Sequence, residues 1–285
     1  MGSEQNTVAK KMDYIDLREV MAKKNPKLPK LLPNFLIRYL ERIIHVKDIN
    51  EFLAQQGDKT GLEFVDAIIE NFGATIKTEG TENIPEDGRF IFAANHPLGG
   101  LDGIALIQVV GRKRKDVLFP VNDILMNISN LKELFIPINK HGSNAENARI
   151  IDDTFAGEKT MLYFPAGLCS RKQDNKIVDL QWHKTFISKA RRHKRDIVPV
   201  YIEGRNSNFF YNLANLRTKL GIKANIEMLY LVDEMFKQKN QVIYIKFGEP
   251  IPHATFDRSR KDKEWARWVK KQVYELGNRN IDEKK

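Results

Sequence analysis

The chain has 285 residues, with 47 lysines and arginines against 37 aspartates and glutamates, so its formal net charge is +10. Hydrophobic residues make up 42% of it, too large a share for a disordered protein, and the length suffices for one large domain or two small ones. The single cysteine excludes an internal disulfide framework and any multi-cysteine metal site.

The first twenty residues are polar and charged, and they contain no apolar segment like that of a signal peptide. No stretch reaches the roughly 18 apolar residues of a membrane span, so we expect neither a signal peptide nor a transmembrane segment. The positive charge, with basic clusters at residues 112–115 and 189–195, favours an acidic partner. Nucleic acid, an anionic lipid surface and an acidic carrier protein all fit that description.

Residues 1–72 are predicted to form an N-terminal helical extension. After a polar, lysine-rich start, apolar residues recur at helical spacing over residues 31–44, with basic residues between them. A basic amphipathic helix of this kind either lies on a membrane surface or packs on the neighbouring domain, and the sequence leaves both open. A second helix is predicted over residues 61–72.

From residue 73 onward, short apolar runs alternate with helical patterns. The predicted strands are residues 89–94, 117–121, 160–164, 197–202 and 241–247. The predicted helices are residues 103–111, 144–157, 182–194, 209–219 and 258–276. This alternation predicts an α/β domain over residues 73–285, with a mostly parallel central sheet flanked by helices.

The strongest chemical signal follows the first predicted strand, which ends at Asn95. His96 and Asp102 are too far apart along an extended chain, and on different faces of a helix, so only a folded-back turn can pair them. Gly99 and Gly100 permit such a reversal. A paired imidazole and carboxylate are typical of a general base. The alternative is that Asp102 only caps the next helix.

Two further segments place polar groups after predicted strands. Lys140 lies in a polar loop, where it meets an anionic substrate group or is simply exposed. In the other segment a strand ends at a Pro-x-Gly turn that brings hydroxyl and basic groups to the sheet edge: Phe164, Pro165, Gly167, Ser170 and Arg171. A fourth, apolar segment at residues 197–204 is expected to shape the site.

In this order the segments resemble the glycerolphosphate and lysophosphatidate acyltransferase superfamily. Its members carry Asn-His-x4-Asp, Phe-Ile-x-Arg, Phe-Pro-Glu-Gly-Thr and Val-Pro-Val blocks, and the resemblance covers about residues 75–205. It implies that His96 removes the proton of an acceptor hydroxyl and that Asp102 orients it. The substrate-binding positions that it implies are Asn95, Gly99, Gly100, Lys140, Phe164, Pro165, Gly167, Ser170 and Arg171.

Three departures from those blocks narrow the resemblance. Five residues rather than four separate His96 from Asp102, Lys140 (or Asn139) replaces an arginine, and Ala166 replaces a glutamate. In these three features the sequence resembles the branch called hemolysins. That branch is similar to bacterial enzymes that acylate lyso-ornithine or lyso-glycine lipids. There the acceptor hydroxyl lies on a 3-hydroxy fatty acyl chain. A lysophosphatidate acyltransferase of phospholipid synthesis is the alternative.

The resemblance also implies the partners. The acyl donor would be an acyl carrier protein or acyl-CoA, the acceptor a lyso-lipid, and the protein would lie peripherally on the cytoplasmic, anionic face of a membrane. Backbone N–H groups near Gly99, Gly100 or Gly167 would bind the oxyanion. We expect no metal, no bound cofactor beyond the donor, and no nucleic-acid partner, since no matching motif is present.

One rival reading uses Cys169 as the nucleophile of a thiol hydrolase. The residues around it form half of a nucleophile elbow but lack the closing glycine. A lone cysteine after a buried strand is more often inert packing.

Overall fold

The computed structural model describes residues 14–121, 126, 128–137 and 144–278. The strands of these residues are β1 (Thr75–Glu79), β2 (Phe90–Ala94), β3 (Val117–Val121), β4 (Phe135–Pro137), β5 (Thr160–Tyr163), β6 (Arg171–Gln173), β7 (Lys176–Val178), β8 (Asp196–Ile202) and β9 (Val242–Phe247). Their helices are α1 (Leu17–Lys24), α2 (Leu28–Leu31), α3 (Asn34–Ile43), α4 (Val46–Gln56), α5 (Gly61–Phe72), α6 (Leu101–Lys113), α7 (Asn144–Ala156), α8 (Thr185–His193), α9 (Asn208–Lys219), α10 (Leu231–Phe236) and α11 (Asp262–Asn278).

Seven of the described strands form one sheet in the order β1-β9-β8-β2-β5-β3-β4. The five strands from β8 to β4 are parallel. The edge pair reverses this direction, because β9 is antiparallel to β8 and β1 is parallel to β9. The remaining two, β6 and β7, pair as a separate antiparallel hairpin. The predicted α/β class with a mostly parallel sheet is confirmed.

The central strand β2 explains why helices cover both faces of the sheet. Phe92 and Ala94 belong to the apolar core on one face, which α5 and α6 complete. Ile91 and Ala93 belong to the core on the other face, which α8 and α11 complete. A strand buried on both sides reads as a continuous apolar run, so the sequence pattern located it.

The predicted helix over residues 31–44 is wrong as a single element. The structure has α2 up to Leu31 and α3 from Asn34, with Pro33 at the start of α3. A proline disfavours helical conformation in the residue before it and supplies no N–H group, so the chain ends one helix and starts another.

The helix predicted over residues 61–72 is confirmed as α5. Its buried residues, among them Phe64 and Ile68, lie in the same core as the β2 residue Phe92, as does Leu53 of α4. Helices α4 and α5 are therefore packed onto the α/β layers. The division of the chain after residue 72 stays a prediction.

Both basic clusters lie at the amino ends of the parallel strands, because residues 112–115 precede β3 and residues 189–195 precede β8. Arg114 is buried and bonds to Asp116, and Arg195 is buried with its guanidinium on the carbonyls of Phe155 and Lys159. The carboxylate of Asp152 lies within ion-pair distance of Lys189 and of two further basic side chains of α8. Four of the nine lysines and arginines in the two clusters form an ion pair with a described carboxylate: Arg114, Lys189, Arg191 and Arg192.

Candidate active site

The carboxyl ends of β2, β5 and β8 meet at one edge of the sheet, and the loop that carries His96 leaves β2 there. The chain reverses at Gly99, whose φ of +87° is a conformation that favours glycine. α6 then begins at Leu101 and places Asp102 in its first turn. The reversal brings the carboxylate back toward the imidazole.

His96 and Asp102 form the predicted pair. Nδ1 of His96 lies 2.9 Å from Oδ2 of Asp102. The same oxygen accepts the backbone N–H groups of Leu98, at 2.8 Å, and Gly99, at 3.2 Å. Oδ1 accepts the N–H of Gly103 at 2.9 Å. Asp102 therefore contacts the imidazole and also binds backbone N–H groups of the loop and of the first turn of α6, whose N-cap is Gly100. The general-base role stays a prediction.

The Asp102 carboxylate is fully buried. Burial by itself raises its pKa, but the charge and hydrogen bond of His96 and the N–H groups of Leu98 and Gly99 outweigh that effect, so the pKa is lowered from the ordinary 3.8. An ionised Asp102 accepts a proton carried by Nδ1 of His96. In the neutral ring that tautomer leaves Nε2 as the basic nitrogen.

One face of the His96 ring also contacts an aromatic side chain. The Phe164 ring stacks on it with a centroid distance of 4.0 Å and an angle of 19°. Phe164 in turn packs edge-on against Phe119 of β3. No described residue bonds to Nε2, and 14% of the His96 side chain is accessible. The imidazole is thus fixed in place, and its second nitrogen has no hydrogen bond to a described residue.

The segment after β5 forms the predicted turn. The N–H of Gly167 donates to the carbonyl of Phe164 at 3.0 Å, with Gly167 at a φ of +68°. The carbonyl of Pro165 accepts the N–H of His183 at 2.9 Å. Further along, the N–H of Ser170 donates to the carbonyl of His96 at 2.7 Å. The turn therefore supports both the ring and the main chain of His96.

A buried carboxylate that the sequence analysis missed lies beside this contact. Asp179 accepts the hydroxyl of Ser170 at 2.6 Å, the N–H of His96 at 3.2 Å and the indole N–H of Trp182 at 2.8 Å. It is 1% exposed. It follows the hairpin strand β7 in a segment without a recognisable motif, so no local signal could have identified it.

Arg171 does not lie open to a substrate. Its guanidinium is buried, donates to the carbonyl of Cys169 at 2.6 Å, and forms an ion pair of 2.8 Å with Glu227. Arg217 holds the other oxygen of Glu227 at 2.9 Å. Breaking such a buried pair is costly, so the predicted direct contact of Arg171 with the acceptor head group finds no support in its surroundings.

The geometry can be compared with known proteins. A family model described as Acyltransferase matches residues 19–283. The chain belongs to this acyltransferase family. It is 47% identical over 264 residues to the lyso-glycine lipid O-acyltransferase of Bacteroides thetaiotaomicron, covering 92% of this chain and 97% of that protein. It is 44% identical to the lyso-glycine lipid O-acyltransferase of Phocaeicola vulgatus, covering 92% and 95%.

Among solved structures, the 1-acyl-sn-glycerophosphate (LPA) acyltransferase PlsC from Thermotoga maritima matches with a TM-score of 0.43 and 17% identity. The match covers 85% of this chain and 93% of that one. A likeness at this level supports no further conclusion about this acyltransferase.

Asn95 and Lys140 are two further positions of the acyltransferase that were predicted to bind substrate. The side-chain amide of Asn95 is buried, and both of its ends bond to the backbone of Ile202, at 2.7 and 2.8 Å. These contacts tie the end of β2 to the end of β8, and a contact of Asn95 with substrate stays a prediction. Lys140 lies outside the described residues.

The backbone donors predicted for an oxyanion are partly occupied. The N–H of Gly99 already bonds to Asp102, and that of Gly167 to Phe164. The N–H of Gly100, just before α6, has no bond to a described residue. Of the predicted amides, this one is the candidate donor of the acyltransferase.

Cys169 of the acyltransferase is fully buried, and Arg171 donates to its Sγ. Burial raises the pKa of the thiol to about 11, although the Arg171 charge opposes the shift. A thiol in this state is protonated and unreactive at neutral pH, which argues against a cysteine nucleophile. Within the described part of the chain, no group of three or more His, Cys, Asp or Glu side chains could hold a metal ion.

Proposed function

We propose that this acyltransferase moves a fatty acyl group from a thioester donor to the hydroxyl of a lyso-glycine lipid. The observation that carries the proposal is the His96–Asp102 hydrogen bond at the carboxyl edge of the sheet. Two relatives that cover nearly the whole chain, both named lyso-glycine lipid O-acyltransferases, support the choice of acceptor. The replacement of the usual glutamate by Ala166 agrees with an acceptor other than glycerol phosphate.

In the proposed mechanism His96 is the general base. Nε2 takes the proton of the acceptor hydroxyl, and the oxygen forms a bond to the thioester carbonyl carbon. The tetrahedral intermediate collapses, the carbon–sulfur bond breaks, and the departing sulfur receives the proton from Nε2. The products are an ester and a thiol, and His96 returns to its neutral form.

Asp102 and the α6 amino terminus favour the charges of this reaction. The carboxylate stabilises the imidazolium that forms when Nε2 is protonated. The developing oxyanion would accept the N–H of Gly100, next to the positive end of the α6 dipole. Phe164 keeps the ring from rotating away.

The acceptor and donor can be tested with purified protein. Acyl carrier protein thioesters and acyl-CoA are offered in turn, with N-(3-hydroxyacyl)glycine as acceptor and the matching N-acylglycine without the hydroxyl as control. We expect a diacylated product only from the hydroxylated acceptor, and the faster thioester identifies the donor. Faster turnover of lysophosphatidate would transfer the assignment to phospholipid synthesis, and no product from either acceptor would contradict a lyso-lipid acyltransferase.

Contact with an anionic membrane surface is the second part of the proposal. None of the helices in the described residues is long and apolar enough to cross a membrane. Leu31 and Phe35 are nevertheless 79% and 74% exposed. Exposed basic side chains of the same segment, such as Arg38 and Arg42, suit an anionic lipid surface.

Other aromatic residues extend this exposed face. We call Phe35, Tyr39, Phe209 and Tyr230 the aromatic strip. The hydroxyls of Tyr39 and Tyr230 lie 2.6 Å apart, and the half-exposed ring of Phe209 packs edge-on against Tyr230 at 4.9 Å. Aromatic rings with polar ends suit the boundary between lipid head groups and acyl chains. The strip adjoins α10, which lies over Gly99, so a lipid acceptor at the membrane would be near the site.

A further inference from the structure

Asp179 holds the main chain of His96, whereas Asp102 holds its ring. The N–H of His96 donates to Oδ1 of Asp179, and the carbonyl of His96 accepts the N–H of Ser170. The hydroxyl of Ser170 donates to the same Oδ1. Asp179 and Ser170 therefore fix the peptide groups on both sides of the His96 side chain.

Asp179 is fixed in turn by α11 and Trp182. Its own N–H donates to the hydroxyl of Tyr274 at 2.7 Å, and its carbonyl accepts the ammonium of Lys270 at 2.7 Å. The indole of Trp182 occupies Oδ2. Burial raises the pKa of Asp179, and the three hydrogen bonds to the carboxylate partly oppose that rise.

We propose that Asp179 is a positioning residue for the catalytic base, which sets the main chain of His96 and adds a second negative charge that favours the imidazolium. This inference rests on the proposed role of His96. The step it assists is the transfer of the acceptor hydroxyl proton to Nε2.

The charged and titratable groups around His96 come from several elements. Asp102 lies on α6, and Lys270 and Tyr274 lie on α11. Cys169 and Asp179 lie in the segment between β5 and α8, where Cys169 is protonated and neutral. Burial raises the pKa of Asp179, and the bonds from Ser170, Trp182 and His96 oppose that rise without cancelling it. Among the described residues, these contacts bring the carboxyl groups of Asp102 and Asp179 and the ammonium of Lys270 to the His96 segment.

The test compares three variants in the acyl-transfer assay over a range of pH. Asp179→Asn keeps an acceptor for Ser170 and His96 but removes the charge. We expect kcat to fall about 10-fold or more with little change in KM, because the base is displaced or less stabilised. Loss of a nearby negative charge disfavours the protonated ring, so we expect the acid limb of kcat/KM to move to lower pH.

Two controls separate charge from packing. Trp182→Phe removes the indole bond to Asp179 and keeps the carboxyl group; because that bond lowers the pKa of Asp179, its loss favours the neutral acid, so the acid limb should move in the same direction as in Asp179→Asn but by less. Lys270→Met removes the ammonium on the Asp179 carbonyl, so the limb should move to higher pH. Because Lys270 is partly exposed, this variant is expected to fold even where Asp179→Asn does not.

The outcomes distinguish this inference from the proposed function. An inactive His96→Ala protein beside a folded Asp179→Asn protein with wild-type kcat and an unmoved acid limb would overturn the inference alone. Full activity of His96→Ala would instead remove the base assignment itself. If Asp179→Asn does not fold, an acid limb that stays in place in Lys270→Met overturns the electrostatic role.

Discussion

The two ring nitrogens of His96 have different surroundings, and this difference defines the expected effect of substitution. Nδ1 is bonded to Asp102, while Nε2 bonds to no described residue. His96→Gln keeps a side chain that can donate to Asp102 but offers no basic nitrogen. We therefore expect acyl transfer to fall at least about 10²-fold while the thermal midpoint stays close to that of the wild type.

Initial rates with a thioester donor and a circular dichroism melt measure the two quantities on the same preparation. Cys169→Ser serves as the comparison, because a buried, protonated thiol has no role in this mechanism. A His96→Gln protein that works at the wild-type rate would exclude imidazole base catalysis.

Asp102 also makes stability depend on pH. Its folded-state pKa lies below the ordinary 3.8, so the ionised carboxylate stabilises the fold above that pH, and the contribution is lost as the pH falls through the folded-state value. In Asp102→Asn this contribution is absent at every pH. We expect the gap between wild-type and Asp102→Asn melting temperatures to be widest near neutral pH and to narrow in acid. A gap that widens on acidification would contradict the ionised assignment.

The loop over residues 96–100, which we name the catalytic loop after the role proposed for His96, lies against α10 at Gly99. A Cβ at this position would lie 2.3 Å from Cδ1 of Leu231, in addition to the strain of a φ of +87°. Gly99→Ala must therefore displace α10 or the loop, and we expect it to cost about 1–3 kcal/mol of stability and to reduce activity about 10-fold or more.

Gly221→Ala is the matched control for that prediction. Gly221 also has a positive φ, +69°, but a Cβ there would meet nothing within 4 Å. Chemical denaturation reports the backbone strain in both variants, and the activity assay reports the displaced loop. Equal losses of activity in the two variants would mean that contact with Leu231 is unimportant.

The elements that local pattern predicts are those buried on both sides. β3 has the predicted bounds, and β2, β5 and β8 differ from them by one residue at an end. β1 was not predicted, since its sequence is polar and mostly exposed and only its pairing with β9 makes it a strand. The antiparallel direction of β9 relative to β8 likewise depends on the path of the chain between the two strands, and no local sequence pattern determines it.

The same limit applies to the site. The block from His96 to Asp102 lies within one turn, so spacing and two glycines were sufficient to predict the pair. Asp179 reaches His96 across 83 positions, and Glu227 reaches Arg171 across 56. The burial of Arg171 could not be inferred either, because a sequence shows the charge of a residue but not the distant partner that neutralises it.

Across the whole molecule, the two basic clusters and the aromatic strip lie at different edges of the sheet. The two basic clusters lie at the amino ends of the parallel strands, whereas His96 follows the carboxyl end of β2, so their placement does not favour a role in guiding a partner to His96. The aromatic strip lies instead beside α10, which covers the catalytic loop. This arrangement favours the interpretation that the carboxyl edge of the sheet faces lipid.

That interpretation predicts weaker membrane binding when the exposed apolar side chains of the N-terminal helices become acidic. The double variant Leu31→Glu/Phe35→Glu replaces the two most exposed apolar side chains of α2 and α3 by carboxylates. It therefore loses apolar area that would be buried in the bilayer, and the new negative charges are repelled by anionic lipid. We expect at least about a 10-fold loss of sedimentation with vesicles that contain anionic lipid, and a higher apparent KM for a vesicle-borne acceptor with less change for a detergent-dispersed one.

Gln55→Glu on the exposed face of α4 adds negative charge without removing an apolar contact, so it should bind vesicles nearly as well as the wild type. Unchanged sedimentation of the double variant would move the lipid contact away from this surface. If the double variant and Gln55→Glu lost vesicle binding equally, net charge would explain the binding, and the aromatic strip would contribute no specific contact. A loss confined to the double variant ties membrane binding to the same side of the molecule as the catalytic loop.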